Sequence, residues 1–213
     1  VFDCVVAYED YGSFSQAPDL AGTNFVSGYD FVNNDSHPND DEGHGTHVTG
    51  TIAQTTNNNH GVAGVAFNCS IMPVKVLDAS GNGSLTGVAD GIIWAADNGA
   101  DVINMSLGAT STTTTLQNAC NYAYNQGVTI VCAAGNAANS TPQYPASYSS
   151  CISVSAVGFD SSLAYYSSYG SYVDICAPGG DLTADENGDG YYDGVLQQTH
   201  DGSNYGSFGY YFY

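Results

Sequence analysis

Val128-Thr129-Ile130-Val131-Cys132-Ala133-Ala134-Gly135-Asn136 is the stretch whose reading decides the fold. Its first six residues are almost continuously apolar or β-branched, as expected of a strand whose two faces are both covered by helices. Gly127 stands just before it and closes a helix-patterned segment running from Thr115 to Gln126. Working outward, further strand-like runs lie near 3–8, 71–77, 101–107, 151–157 and 172–177. A second helix is signalled between two of them, with Ser84 as N-cap, Leu85, Val88, Ile92 and Ala96 on one face, and Asn98-Gly99 as the stop. Strands alternating with helices imply parallel strands joined by crossovers. The expected fold is therefore α/β, an open, mainly parallel sheet with helices on both faces, in a single domain without a linker or repeat. Functional residues of such sheets collect where the strands end at their carboxyl edge.

Composition narrows the function. A chain of 213 residues can bury roughly 70% of its unfolded surface, enough for a real core. Mean hydropathy is −0.13, and no run of about 18 apolar residues suggests a membrane span. Against 21 acids stands a single base, Lys75, for a formal net charge of −20. Nucleic-acid binding is excluded as an expectation, because neutralising phosphates takes clustered Lys or Arg. Eighteen of the 21 acids are Asp, set among Asn, Gly, Ser and Tyr in turn-like segments. Both solvation, as in a saline medium, and oxygen-rich loops for a hard cation account for that pattern. The six cysteines, Cys4, Cys69, Cys120, Cys132, Cys151 and Cys176, show no zinc-ligand spacing. Buried free thiols and one or two disulfides both remain open.

The chain opens directly in a strand-like run with no signal-peptide pattern and ends in the aromatic run Phe208 to Tyr213. Both ends read as truncated, so one incomplete domain over 1–213 is expected.

Four polar clusters lie at or near such carboxyl edges: Glu9-Asp10-Tyr11-Gly12, then, after a loop rich in Asn and Asp, Gly43-His44-Gly45-Thr46-His47-Val48-Thr49-Gly50, then Ser106-Leu107-Gly108 and Ala133-Ala134-Gly135-Asn136. An acid that orients an imidazole, an imidazole that moves protons and an amide that donates to an oxyanion are the parts of acyl-transfer machinery. His44 and His47 are also spaced like metal ligands at a helix start, so zinc hydrolysis is a rival, although the pattern is not HExxH.

The ordered set resembles the subtilisin-like serine proteases, the subtilases. Their His-Gly-Thr-His-Val motif is matched by His44 to Val48, which implies that His44 is the general base. Their strand-end acid, usually followed by Ser or Thr and Gly, is matched by Asp10, and their Pro-Asp-Leu beyond that acid by Pro18-Asp19-Leu20. Val74-Lys75-Val76-Leu77-Asp78 and Val102 to Gly108 resemble core strands of the family. The resemblance implies that Ser106, Leu107 and Gly108 pair with an extended substrate. It implies further that Ala133, Ala134 and Gly135 wall the primary specificity pocket and that Asn136 is the side-chain donor to the oxyanion. Tyr144-Pro145 and Ala177-Pro178-Gly179 extend the likeness, which covers residues 3–180.

Two features depart from the family. Its nucleophile stands in Gly-Thr-Ser-Met-Ala, and no such motif occurs among the 213 residues; Ser167, Ser168, Ser203 and Ser207 are in other contexts. Tyr11 stands where a small Ser or Thr follows the acid.

The resemblance also implies a calcium site made by Asp19, Thr56, Asn58, the carbonyl of His60, and Val62. A second calcium candidate rests on the residues alone. Asp185-Glu186-Asn187-Gly188-Asp189-Gly190-Tyr191-Tyr192-Asp193 places oxygens from Asp185, Asn187, Asp189 and Asp193 at positions 1, 3, 5 and 9 of a calcium loop, with Gly at 6. Leu196 at position 12 departs from the EF-hand pattern.

The resulting expectation is a secreted, extracellular, calcium-bearing serine endopeptidase, a monomer whose partners are polypeptide substrates and its own propeptide. As given, it lacks its nucleophile. The alternative is a catalytically inactive subtilase-fold binding protein.

Overall fold

The computed structural model describes residues 16–200 and 207–213; the strand-like run expected near 3–8 lies outside them. Backbone contacts divide the chain into two units, the first holding residues 1–95 and 196–211, the second 96–195 and 212–213.

In the first unit a short 3-10 turn, Pro18–Leu20, leads to β1 (Asn24–Phe25) and β2 (Tyr29–Asp30). The helix α1 (His44–Ala53) follows, then β3 (Ser70–Ile71) and β4 (Val74–Lys75). β1 pairs with β3 and β2 with β4, both parallel. The single strand expected over 71–77 is thus corrected to two short ones. Pro73 separates them, and a proline has no N–H to give to a ladder. Ala17, Leu20, Ala53 and Ile71 form a small core, with Phe25, Ile52, Cys69 and Phe208 packed against it. The helix α2 (Leu85–Asp97) starts where expected, with Ser84 Oγ accepting from the Gly87 N–H at 2.9 Å, and it buries Val88, Ala89, Ile92 and Ala95.

The second unit holds the sheet. β5 (Val102–Met105), β6 (Thr129–Ala133), β7 (Ile152–Val157) and β8 (Ile175–Pro178) lie side by side in that order, all parallel. Between β5 and β6 runs α3 (Thr114–Asn125), capped by Thr113 Oγ1 accepting from the Leu116 N–H at 3.2 Å. It buries Leu116, Ala119, Cys120 and Ala123 and packs on β6. The fold is α/β as read from residues 128–136. An antiparallel pair, β9 (Gly180–Asp181) and β10 (Asp193–Gly194), encloses the Asp-rich turn. Back in the first unit, β11 (Leu196–Thr199) pairs with β12 (Gly209–Phe212).

Candidate active site

A buried carboxylate sets the start of α1. Asp40, with none of its surface exposed, accepts through Oδ1 from the N–H of Glu42 at 3.0 Å and of Gly43 at 2.8 Å. Its Oδ2 accepts from the Thr46 N–H at 2.8 Å and the Thr46 hydroxyl at 2.6 Å. The N–H groups of Gly43 and Thr46 are among those that the start of a helix otherwise leaves unpaired, and a negative charge there also suits the helix dipole. Gly43, at φ 109°, makes the entry in a left-handed conformation, and a Cβ there would strike the carbonyl of His200. The Gly43 carbonyl accepts from the Thr199 hydroxyl. His44, half-buried, is therefore the first helical residue of a turn held from below, with its N–H given to Glu42 Oε2 at 2.9 Å. His47 points elsewhere: it is buried, and its Nε2 lies 3.1 Å from the Tyr211 carbonyl oxygen. Among the described residues no group of three His, Cys, Asp or Glu is arranged to hold a metal ion. Asp10, the expected acid, lies outside the described residues.

The second unit holds further residues of the expected set. Met105 of β5 is in register with Cys132 of β6, so Ser106-Leu107-Gly108 and Ala133-Ala134-Gly135-Asn136 leave adjacent parallel strands at the same carboxyl edge. Asn136 is exposed there. The turn ahead of it is fixed by Ser168, fully buried, whose N–H donates to the Gly135 carbonyl at 2.8 Å and whose Oγ accepts from the Ala137 N–H at 3.1 Å. The Tyr172 hydroxyl donates to the Ala134 carbonyl at 3.1 Å. Gln143 lines the same place, because a Cβ on Gly135 would come within 2.9 Å of its Cγ. Ser168 and Gln143 carried no signal in the sequence, since nothing local separates them from other loop residues.

Asp19 is the centre of the first cation candidate. Fully buried, it accepts through Oδ1 from Asn58 Nδ2 at 2.6 Å. Its Oδ2 accepts from Gln54 Nε2, from the Tyr210 hydroxyl at 2.9 Å and from the Val62 N–H at 3.3 Å. All four donors are neutral. The one base of the chain is engaged elsewhere, Lys75 Nζ standing 2.6 Å from Asp41 Oδ1. Burial, then the Asp19 hydrogen bond and charge, push the Tyr210 phenol well above its ordinary value. Thr56, Asn58 and His60 lie on the loop that wraps this carboxylate. The Asn58 amide turns its nitrogen to Asp19 while its oxygen accepts from the His60 N–H at 3.1 Å. Gln54, Gln198 and Tyr210 were missed by sequence reading; Gln198 Oε1 accepts from the Asp19 N–H at 2.7 Å from 179 positions away.

The second cation candidate folds on itself. Asp185 Oδ1 accepts from the N–H of Gly188 at 2.8 Å and of Asp189 at 3.1 Å, and Oδ2 from Gly190 at 3.0 Å. Asp193 accepts from Asn187 Nδ2 at 3.0 Å and the Glu186 N–H at 2.6 Å. Asp185, Asn187 and Asp189 are exposed, and Asp193 is half-buried.

Comparison with known protein families matches residues 3–210 to the Subtilase family. The chain belongs to the subtilase family. Among its relatives, thermitase of Thermoactinomyces vulgaris is 51% identical over 174 residues, which is 82% of this chain and 62% of thermitase. A thermophilic serine proteinase of a Bacillus species is 50% identical over 87% of this chain and 46% of its own length. The chain therefore spans about half to three fifths of these two relatives. Among solved structures, a protease of Pseudoalteromonas arctica superposes with a TM-score of 0.85 at 35% identity, over 100% of this chain and 70% of that one. A cold-adapted subtilisin-like serine proteinase superposes with a TM-score of 0.78 at 33% identity, over 99% and 67%.

Proposed function

We propose that the protein is a serine endopeptidase that hydrolyses peptide bonds in polypeptides through an Asp, His and Ser triad. The observation that carries this reading is the register of β5 and β6 in a subtilase chain, which sets the Ser106–Gly108 segment beside the Asn136 segment at one sheet edge. In the reaction His44 takes the proton of the attacking serine and returns it to the leaving amine, while Asp10 holds the imidazole. Asn136, with a backbone N–H, receives the oxyanion. An extended substrate lies along Ser106, Leu107 and Gly108, and its side chain enters between Ala133, Ala134 and Gly135. The nucleophile is not among residues 1–213, and the reading assigns it to sequence outside them.

Calcium belongs to the same reading as a structural ion. A buried carboxylate that meets only neutral donors, in a chain whose one base is paired elsewhere, fits a hard cation. Asp19, the Asn58 amide turned over, and the carbonyls of Thr56, His60 and Val62 would hold it. Asp185, Asn187, Asp189 and Asp193 would hold a second. The protein acts outside the cell as a monomer, where calcium is plentiful, after release from a propeptide.

The test starts with the coding sequence past Tyr213. An in-frame Gly-Thr-Ser leads to an assay of the complete protein on casein, with and without a serine-directed covalent inhibitor. Inhibitor-sensitive cleavage is expected. A stop codon, or an inert complete protein, overturns the reading in favour of a subtilase-fold binding protein. In the active protein His44→Ala should lower kcat/KM by about 10⁴-fold or more, and Asn136→Ala by about 10²- to 10³-fold. Asp10→Asn should match the histidine variant within about tenfold. Retained activity there, with loss in Asp3→Asn, moves the acid to Asp3.

A further inference from the structure

Two buried amide oxygens in the first unit converge on one bare glycine and find no donor. Gln54 closes α1, and Gln197 lies on β11, which packs against that helix. Gln54 is 0% and Gln197 4% exposed, yet neither Oε1 has a hydrogen-bond partner among the described residues. Gly50 is where they meet: a Cβ there would stand 2.6 Å from Gln54 Oε1 and 2.9 Å from Gln197 Oε1. Each oxygen has given up its water and gained nothing for it, which is a costly way to bury two acceptors. The other end of the Gln54 amide is engaged, with Nε2 donating to Asp19 Oδ2. One side chain thus joins the carboxylate of the first cation candidate to the unpaired oxygen of Gln197.

Resting on the calcium reading of Asp19, we propose that Gln54 is a further ligand of that ion and that its amide turns over when the ion binds. The two ends of an amide are alike in size, so turning it over exchanges oxygen and nitrogen at the same two places. Oε1 then lies against Asp19, where a bare carboxylate repels it and a cation attracts it. Nε2 then lies beside Gly50, where Gln197 Oε1 lacks a donor. One rotation gives the ion an oxygen and the orphaned oxygen a hydrogen bond. Without the cation the same rotation sets oxygen against carboxylate, so Nε2 stays on Asp19 and Gln197 Oε1 stays unpaired, as observed.

Asn58 differs in this respect. Its Oδ1 already accepts from the His60 N–H at 3.1 Å, and turning that amide gives the bond up. For Gln54 the turn gains a bond. The ligand count points the same way. Asp19, Asn58 and the carbonyls of Thr56, His60 and Val62, at one oxygen each, fall short of the roughly six to eight that calcium takes, and Gln54 adds a neutral one.

The experiment titrates calcium into the chelator-stripped protein by isothermal calorimetry, with Asp19→Asn marking the binding step that belongs to this site. Gln54→Leu should weaken that step about 100-fold, because the ligand is gone, and Gln197→Met about tenfold, because the turned amide loses its acceptor. If Gln54 serves Asp19 only as a donor, Gln54→Leu has the opposite sign: calcium loses a competitor and binds as well or better. If a water molecule bridges the two oxygens instead, Gln197→Met leaves the affinity unchanged. Either result overturns the proposal and leaves the calcium reading standing, whereas a parent without a step that Asp19→Asn abolishes overturns both. Should Gln54→Leu fail to fold, Gln197→Met decides alone, since the donors to the Asp19 carboxylate are on other residues.

Discussion

At Asp19 the carboxylate is fully buried, and its donors reach it from Gln54, Asn58, Val62 and, 191 positions away, Tyr210. At Asp185 the carboxylate is exposed, and the groups that bind it lie no more than five positions along the chain. Both are calcium candidates, the first implied by the subtilase resemblance and the second by its own spacing of oxygens, and both have the same kind of ligand atoms. The first clamps distant segments of its unit, while the second shapes only itself. Burial also changes what the charge costs. An exposed aspartate keeps its water, but a buried one must be repaid by fixed donors or by a cation.

The contrast is tested most severely by removing each charge. Asp19→Asn puts an NH₂ group against the Gln54 and Asn58 donors and should destabilise the protein by about 4 kcal/mol, whereas Asp185→Asn should cost less than about 1 kcal/mol. Urea denaturation of the two variants measures both, and equal losses would erase the distinction. The glycines of the two turns give a second measure. Gly61 (φ 56°) and Gly188 (φ 73°) are both left-handed. A methyl group on Gly188 meets nothing within 4 Å, while on Gly61 it strikes the Asp19 carboxylate and the Tyr210 hydroxyl. Gly188→Ala should cost about 1 kcal/mol and Gly61→Ala about 3 kcal/mol by the same assay.

Calcium sharpens the comparison with a smaller effect. Once calcium exceeds its dissociation constant, each tenfold rise should add about 1.4 kcal/mol per site, read as a climbing melting temperature that a chelator abolishes. Asp19→Asn should flatten that climb by one site. The smallest effect concerns pH. The Tyr210 phenol has a folded pKa above its unfolded value near 10, so above that pH the unfolded chain loses a proton that the folded chain keeps. Stability should fall as pH rises past 10, and Tyr210→Phe should make that fall shallower in melts taken between pH 9 and 11.

How much was legible depended on whether the signal was local. The runs 101–107, 128–134 and 151–157 and the helix beginning at Leu85 were readable because apolar periodicity and caps are properties of neighbours. The run 71–77 was misread because Pro73 was given too little weight. β11 escaped notice because Gln197, Gln198 and Thr199 are polar yet buried; Gln198 and Thr199 face the Asp19 N–H and the Gly43 carbonyl, partners no window of sequence contains. The His44 motif was legible, but Asp40, which holds its turn, looked like one more acid in an acidic loop.

Lys75 is the chain's one lysine or arginine, and it is wholly buried against Asp41. A trypsin-like protease therefore has a single bond to cut, Lys75–Val76, and that bond is sealed while the fold stands. The chain carries its own unfolding reporter: resistance to trypsin while native, and two fragments, 1–75 and 76–213, as soon as the first unit opens.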